Sequence, residues 1–367
     1  MNKKDWDIFQ ENRTIPKEQK YISCFAAFNH MRINRSGRMG PCCFSIDKQL
    51  WNKEKGLYDY WFNGLNLQYQ EKFLNNKLPD GCQVCKERIE QNIIPPINEY
   101  DWNVEDRMKG VMNISYPKIL EFEISNLCNM ECPMCMGHLS SKHAANRDKN
   151  IKFGSNLFDD DENLNHLIKE VKKFIPHLEE IRFAGGEPLA HKGMFKMAKA
   201  IYDIKPELRL SVCTNGSVYN KKVEKLCKEN NIQFTISIDS VIPEEYHQIR
   251  IGGKYDSTYS NIDKSKSLIG KDKIEINSTL MCINTENIIE FFKYGLNNGY
   301  KIFINTYSKR GRINSPDWGL HLVPFDIKWK VIKQCKDFLE KNLNNIHNPI
   351  LQQNYKAQLN KVIKLLS

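Results

Sequence analysis

The stretch Glu121-Phe-Glu-Ile-Ser-Asn-Leu-Cys128-Asn-Met-Glu-Cys132-Pro-Met-Cys135 decides how the chain reads. Its three cysteines have C-x3-C-x2-C spacing. They follow an alternating apolar run (Ile119, Phe122, Ile124) that predicts a strand. Three thiolates in one short loop can hold three irons of a cubane cluster and leave the fourth iron open to a group that is not protein. A structural zinc knuckle is the other reading of the spacing. It needs a fourth nearby Cys or His, and His138 and His143 are near enough to keep it open.

Working outward, the chain has 367 residues, a formal net charge of +10 and 41% apolar residues. That length allows two or three domains and a sizeable core. The basic residues are spread out, concentrated only in short runs such as Lys309-Arg310-Gly311-Arg312, so no nucleic-acid partner is expected. The Met-Asn-Lys-Lys-Asp-Trp start has no apolar signal region. No apolar stretch reaches the roughly 18 residues a membrane span needs. The expectation is a cytoplasmic protein with no membrane partner, in which grouped cysteines serve as metal or cluster ligands rather than disulfides.

Residues 1–20 are polar and expected to be loosely ordered. Within 21–90, Arg35-Ser36-Gly37 between two short runs predicts a hairpin that brings Cys24 and Cys42 together. A helical stretch, Leu57 to Asn75, precedes a Cys82-x2-Cys85 knuckle. Cys24, Cys42, Cys82 and Cys85 then form a four-thiolate site with Cys43 spare, and spacing alone does not choose between zinc and an iron–sulfur cluster. Residues 91–116, with Pro95-Pro96, read as a connector.

Residues 117–307 alternate strand and helix. Strand-like runs fall at 118–125, 179–184, 207–213, 232–239, 273–281 and 301–306, with helical patterns near 162–175, 190–203, 219–230, 258–269 and 286–298. This predicts an α/β fold with a parallel sheet, open or curled into a partial barrel, and a ligand site at the C-terminal strand ends. Cys128–Cys135, Gly185-Gly186-Glu187, Thr214-Asn215-Gly216 and Ser237-Ile-Asp239 all lie at such ends. Residues 308–367 carry two more helical stretches, 324–342 and 350–366, expected to cover an open side of the sheet.

These motifs resemble the radical S-adenosylmethionine (SAM) superfamily over most of the chain. Cys128, Cys132 and Cys135 resemble its CxxxCxxC loop, with Met134 where an aromatic residue is common. Ala184-Gly-Gly-Glu-Pro-Leu189 resembles the GGE motif, in which Gly185, Gly186 and Glu187 would meet the methionyl ammonium. Asn215, Ser237 and Arg250 lie in segments resembling the family's other SAM-contacting strand ends; the plain reading of Arg250 is a solvated helix residue. The segment Asn284 to Asn287 resembles a polar loop without a firm role. The N-terminal module resembles the twitch half of SPASM/twitch domains, which moves the four-cysteine site from zinc to an auxiliary iron–sulfur cluster, 4Fe–4S rather than 2Fe–2S. Here the module precedes the barrel rather than following it.

The resemblance implies a partial (β/α)6 barrel, a 4Fe–4S cluster that binds SAM, and an electron donor such as flavodoxin or ferredoxin. It also implies hydrogen abstraction by a 5′-deoxyadenosyl radical from a peptide, with a sugar or aminocyclitol dehydrogenase or epimerase as the second reading. A non-enzymatic zinc-binding interaction module is the remote third. Cys227 and Cys335 read as core residues, while Cys213 and Cys282, near strand ends, read as buried strand residues or as hydrogen donors to a product radical.

Overall fold

The computed structural model describes residues 2–46, 49–91, 95–101, 115–309 and 315–367. Most of the expected connector, and Arg310, Gly311 and Arg312 of the basic run, lie outside these residues. The chain divides into two compact units: Met1–Glu123 with Ser155–Arg182 and Lys199–Leu208, and Ile124–Gly154 with Phe183–Ala198 and Arg209–Ser367.

In the first unit, strands β1 (His30–Ile33), β2 (Arg38–Gly40) and β3 (Gln49–Leu50) form an antiparallel run. The turn between β1 and β2 is built as its residues dictate. The Asn34 Oδ1 accepts from the Ser36 and Arg38 amides, and Gly37 takes φ +77°. Strand β4 (Ile119–Glu123) lies parallel to β1, pairing His30 with Ile119 and Ile33 with Phe122. The hairpin is therefore an extension of the strand that leads into the cysteine loop. Charge explains the pairing: Arg32 bridges Glu121 (Nε–Oε1 2.8 Å) and Glu123, and His30 Nε2 lies 3.3 Å from Glu121. His30 Nδ1 also lies 2.8 Å from the Pro41 carbonyl.

The amino terminus departs from the loosely ordered expectation. Lys3–Asn12 is a helix capped by the Asn2 side chain, with Trp6 buried. Just beyond it, buried Arg13 donates to both carboxylate oxygens of Asp101, at 3.0 and 2.5 Å, and to the Ile22 carbonyl at 2.7 Å. The Leu57-to-Asn75 stretch is two helices, Leu57–Phe62 and Leu65–Leu74, broken at Asn63-Gly64.

Strand β5 (Glu180–Ala184) has its first three residues in the first unit. In the second, β6 (Arg209–Thr214), β7 (Ile232–Ser237), β8 (Ile274–Leu280) and β9 (Lys301–Thr306) lie side by side in chain order, each pair parallel. Helices Lys221–Glu229, Pro243–Ile249, Tyr255–Ile269 and Ile288–Asn298 connect them. Burial alternates along β7 and β8, so one set of side chains packs while the other looks to the more open face. The fold is α/β with a mostly parallel sheet, as expected. Among the described residues, no helix is long and apolar enough to cross a membrane.

The carboxyl-terminal helices Phe325–Asn342 and Pro349–Leu366 follow the predicted spans. The second seals the edge of β9 with side-chain amides. Asn354 Oδ1 accepts from the Ile302 N–H at 2.8 Å, its Nδ2 donates to the Ile302 carbonyl at 2.9 Å, and Gln358 Oε1 accepts from the Ile304 N–H at 3.0 Å. The helix thus supplies the hydrogen bonds of a missing neighbour strand. Asn354→Ala strips two backbone partners and is expected to destabilise the protein by about 1–3 kcal/mol in urea unfolding. An unchanged midpoint would show that water replaces the amide at no cost.

Candidate functional site

The cysteine loop is seated by backbone. Beyond β4, the Ile124 N–H donates to the Ala184 carbonyl (3.0 Å), the Gly186 N–H to Ser125 (2.6 Å) and the Glu187 N–H to Leu127 (2.7 Å). Gly185 sits at φ +120°, and a Cβ there would overlap the Ser125 carbonyl. A Cβ at Gly186 would overlap the Leu127 carbonyl. The two glycines are thus needed first so that the loop carrying Cys128 can lie against them. Within the loop the Met130 amide points at Cys128 Sγ (3.5 Å), and the Cys135 N–H donates to the Cys132 carbonyl (2.8 Å). Ser140 Oγ donates to the Met130 carbonyl at 2.5 Å.

Glu187 ties this base to the next strand end. Its buried carboxylate accepts from Thr214 Oγ1 (2.7 Å), the Leu189 N–H (3.1 Å) and the Asn215 N–H (2.7 Å). Burial raises its pKa while these donors lower it, leaving a net upward direction. Three of roughly four acceptor positions are occupied, so one remains for a ligand donor. Asn215 in turn points Nδ2 at Cys128 Sγ (3.7 Å) and at Asn129 Oδ1 (3.1 Å).

Arg250 is not a solvated helix residue. It is buried, its Nε lies 2.5 Å from Asp239 Oδ2, and its Nη1 lies 4.0 Å from Cys132 Sγ. Asp239 takes φ +61°, a left-handed conformation uncommon outside glycine. It is held there from β8 and the loop after it. Its Oδ1 accepts from the Thr279 N–H (2.7 Å), and its carbonyl accepts from Ser278 Oγ (2.9 Å) and Asn284 Nδ2 (3.0 Å). Asn284, without a firm role on sequence, is therefore a brace for Asp239.

Burial pushes the Cys132 thiol up to about 12, with Arg250 opposing and Cys135, Asp239 and Cys128 adding to the rise. Burial also raises Cys128. Neighbouring thiols of which Cys128 and Cys132 resist ionisation are the donor set that a cationic iron–sulfur group would stabilise as thiolates. His143 does not complete a zinc site. It is buried, with Nδ1 at 3.1 Å from Asp148 and Nε2 at 3.4 Å from Ser315. Among the described residues, no three His, Cys, Asp or Glu side chains are arranged to hold a single metal ion. The three-thiol set fits a cluster with one open iron: Cys132 is buried, Cys128 and Cys135 are half-buried, and both neighbours repel a charge on Cys132.

In the first unit, Cys24, Cys82 and Cys85 belong to one buried apolar cluster with Cys42 packed against it, while Cys43 is exposed. Burial raises Cys24, and repulsion from Cys85, Cys82 and Cys42 adds to it. Burial likewise brings Cys42 to about 11 and Cys85 to about 12. This set has the chemistry of a four-thiolate ligand group.

The remaining expected residues fall differently. Met134 packs with Trp318 and Ile283 against Ile249, Met281 and Tyr307. Cys227 and Cys335 are buried in helices, as core residues. Cys213 is exposed rather than buried, with its thiol 4.0 Å from Ser237 Oγ. Along β6 it falls on the open phase, since Leu210, Val212 and Thr214 are the buried set. Cys282 is half-buried, and its N–H donates to the Trp318 carbonyl at 3.0 Å. Sequence reasoning missed the Asp239–Arg250 pair and the His143–Asp148 pair. The Ser-x-Asp turn was the available signal for the first.

Residues 122–294 match the family model described as Radical SAM superfamily. A GTP 3′,8-cyclase of Haemophilus influenzae (strain ATCC 51907) is 28% identical over 162 residues, 44% of this chain and 44% of that protein. The protein of the same name from Clostridium botulinum (strain Okra) is 28% identical over 176 residues, 47% of this chain and 50% of that one. The chain therefore spans about half the length of the curated relatives it matches, or less. Among solved structures, Streptococcus suis SuiB bound to S-adenosylmethionine aligns with 85% of this chain and 69% of its own, at 16% identity and TM-score 0.46. Native anSMEcpe with bound AdoMet aligns with 62% and 61%, at 20% identity and TM-score 0.43. At these scores they carry no argument about substrate.

The seating of the loop is testable. Gly186→Ala should displace the Leu127 carbonyl and lower the iron and sulfide content of the reconstituted protein. Unaltered iron and sulfide content would contradict this packing.

Proposed function

We propose that this radical SAM superfamily enzyme holds a 4Fe–4S cluster on Cys128, Cys132 and Cys135 and takes a hydrogen atom from a peptide. The observation that carries this reading is the convergence, at the ends of successive strands, of the three-thiol loop, the Glu187 carboxylate, Asn215 and the Asp239–Arg250 pair. When bound, the cluster and SAM supply reductive cleavage of a sulfonium C–S bond and a 5′-deoxyadenosyl radical. The chain's own residues bind and orient. On this reading Glu187 offers its remaining acceptor position to the methionyl ammonium, with Gly185 and Gly186 beside it. Ser237 and Arg250 would border the carboxylate and ribose, and Met134 would border the adenine. Arg250 also places positive charge beside Cys132, stabilising its thiolate. Strands β4–β9 would form a partial (β/α)6 barrel around this site.

Cys24, Cys42, Cys82 and Cys85 would hold an auxiliary cluster; when bound it would supply an acceptor for one electron, which would make the net reaction oxidative. The peptide assignment rests on the likeness of this module to those of peptide-modifying enzymes. Cys213 favours a second reading. An exposed thiol on the open phase of β6 supports a reading in which it would return a hydrogen atom, with redox-neutral epimerisation as the alternative outcome.

Reconstituted protein with dithionite should convert SAM to 5′-deoxyadenosine. Replacing Cys128, Cys132 and Cys135 with Ala should abolish this while the first unit keeps its iron; persistent cleavage would refute the assignment. Glu187→Gln should weaken SAM binding by about 10–100-fold, the loss of one charge-assisted contact of about 1.5–3 kcal/mol. Unchanged affinity would leave Glu187 only its bracing role. A product two hydrogens lighter supports oxidation, whereas solvent deuterium incorporation that disappears in Cys213→Ala establishes the redox-neutral course.

A further inference from the structure

We propose that Asn277 and Asn305, side by side on the open phase of β8 and β9, hold the substrate by an amide group; this deepens the peptide reading above and rests on it. Three observations carry it. The first is unspent hydrogen-bonding capacity. Asn305 Nδ2 donates to Asn277 Oδ1 at 3.0 Å, and neither side chain has another partner among the described residues. That one contact leaves the NH2 of one amide and the C=O of the other unused, whichever way the two are turned. The free groups are not sealed in, since both side chains are half-buried and the buried orphan atoms lie elsewhere. A ligand that answers them carries an N–H beside a C=O, which is an amide. A lone hydroxyl holds donor and acceptor on one atom, whereas the free groups here belong to two side chains on adjacent strands.

The second observation is charge. Along the open phase of β6 to β9, charged residues stand only near the strand starts, at Arg209, Glu275 and Lys301. Farther along the same phase come Cys213, Ser237, Thr279 and the two asparagines, all uncharged at neutral pH. An ionised ligand group laid there would lose water and find no counter-charge on these strands. The group that fits is neutral and hydrogen-bonding.

The third observation is position. Ser237 on β7 is in register with Asn277, and its Oγ lies 4.0 Å from Cys213 Sγ. Glu187 and Arg250 are near enough for their charges to act on the Cys213 thiol. A polar row therefore runs from the strand ends of the site across β7 and β8 to β9. Strands about 4.8 Å apart put Asn277 roughly 10 Å from the strand that carries Cys213. About three extended residues, at about 3.3 Å each, cover that span. The substrate residue lying over Cys213 is then about three positions from the one whose amide is held.

The test uses the reconstituted full chain with SAM bound. The probes are N-acetyl-trialanine methylamide, the same peptide methylated at every amide nitrogen, acetamide and myo-inositol, with binding read by ligand-observed nuclear magnetic resonance. The plain peptide should bind at least about tenfold more tightly than its methylated form, which keeps every C=O but cannot donate. Asn277→Leu and Asn305→Leu should each abolish that preference, with SAM affinity at the parent value. A pair that serves only the sheet would move the unfolding midpoint and leave the preference intact, which would overturn the proposal. Acetamide that displaces the peptide from the parent, and from neither variant, would support it and point to a carboxamide side chain as the held group. Displacement by myo-inositol that both variants lose would assign the pair to a polyol and overturn it. A parent that binds both peptides equally sinks the asparagine pair and leaves the peptide reading standing. A parent that binds SAM and neither peptide sinks the peptide reading itself, a distinguishable failure.

Discussion

The structure around the site depends on a close backbone contact: the cysteine loop lies on Gly185 and Gly186 with no room for a side chain between them. Three amide–carbonyl bonds join Ile124, Ser125 and Leu127 to Ala184, Gly186 and Glu187. Cys128 starts from the fixed end of that contact, and Glu187 leaves it in the opposite direction to accept from Thr214 and Asn215. One carboxylate therefore sets the distance between two strand ends. On the proposed function such preorganisation would let a radical meet one chosen bond and no other.

Electrostatics pulls against this geometry and is answered locally. Burying the thiols opposes their ionisation, yet iron binds thiolates. Arg250 offsets part of that cost beside Cys132 and is itself kept in place by Asp239, whose left-handed backbone is fixed by Ser278, Thr279 and Asn284. Removing Asp239 would leave a buried guanidinium unpaired, a change that typically costs about 3–5 kcal/mol. The first unit shows the same logic, with Arg32 shared between Glu121 and Glu123. There the Arg32 and His30 contacts bring Glu121 down to about 2 despite its burial.

Much of this was legible in the chain because local patterns report local structure. The strands β4 to β9 follow from apolar alternation, and the hairpin follows from Arg35-Ser36-Gly37, where turn chemistry is explicit; the part of Asn34 in the turn appears only in the structure. The cysteine spacing and Gly185-Gly186 could be read for the same reason, although the glycines proved to serve the loop's own backbone. What escaped were pairings between distant residues. Strand β1 beside β4 depends on charges about 90 residues apart, as Arg32 and Glu121 show. The helix at Lys3–Asn12 is mostly polar and depends on Trp6 and on Arg13 finding Asp101. Arg250 stands between a SAM-contacting and a solvated reading because its partner is reached only through the turn at Asp239. Cys213 stays open between a buried strand residue and an outward-facing thiol because a strand's phase cannot be assigned from one residue; in the structure it is exposed.

The most direct test of the central claim, one open iron on a three-thiolate loop, is spectroscopic. In a Cys24→Ala/Cys42→Ala/Cys82→Ala/Cys85→Ala variant only the Cys128 loop can hold iron, and its reduced electron paramagnetic resonance spectrum is recorded before and after adding SAM. The account predicts a 4Fe–4S signal whose g-values shift on SAM addition. Zinc in place of iron, or a cluster signal indifferent to SAM, would contradict it.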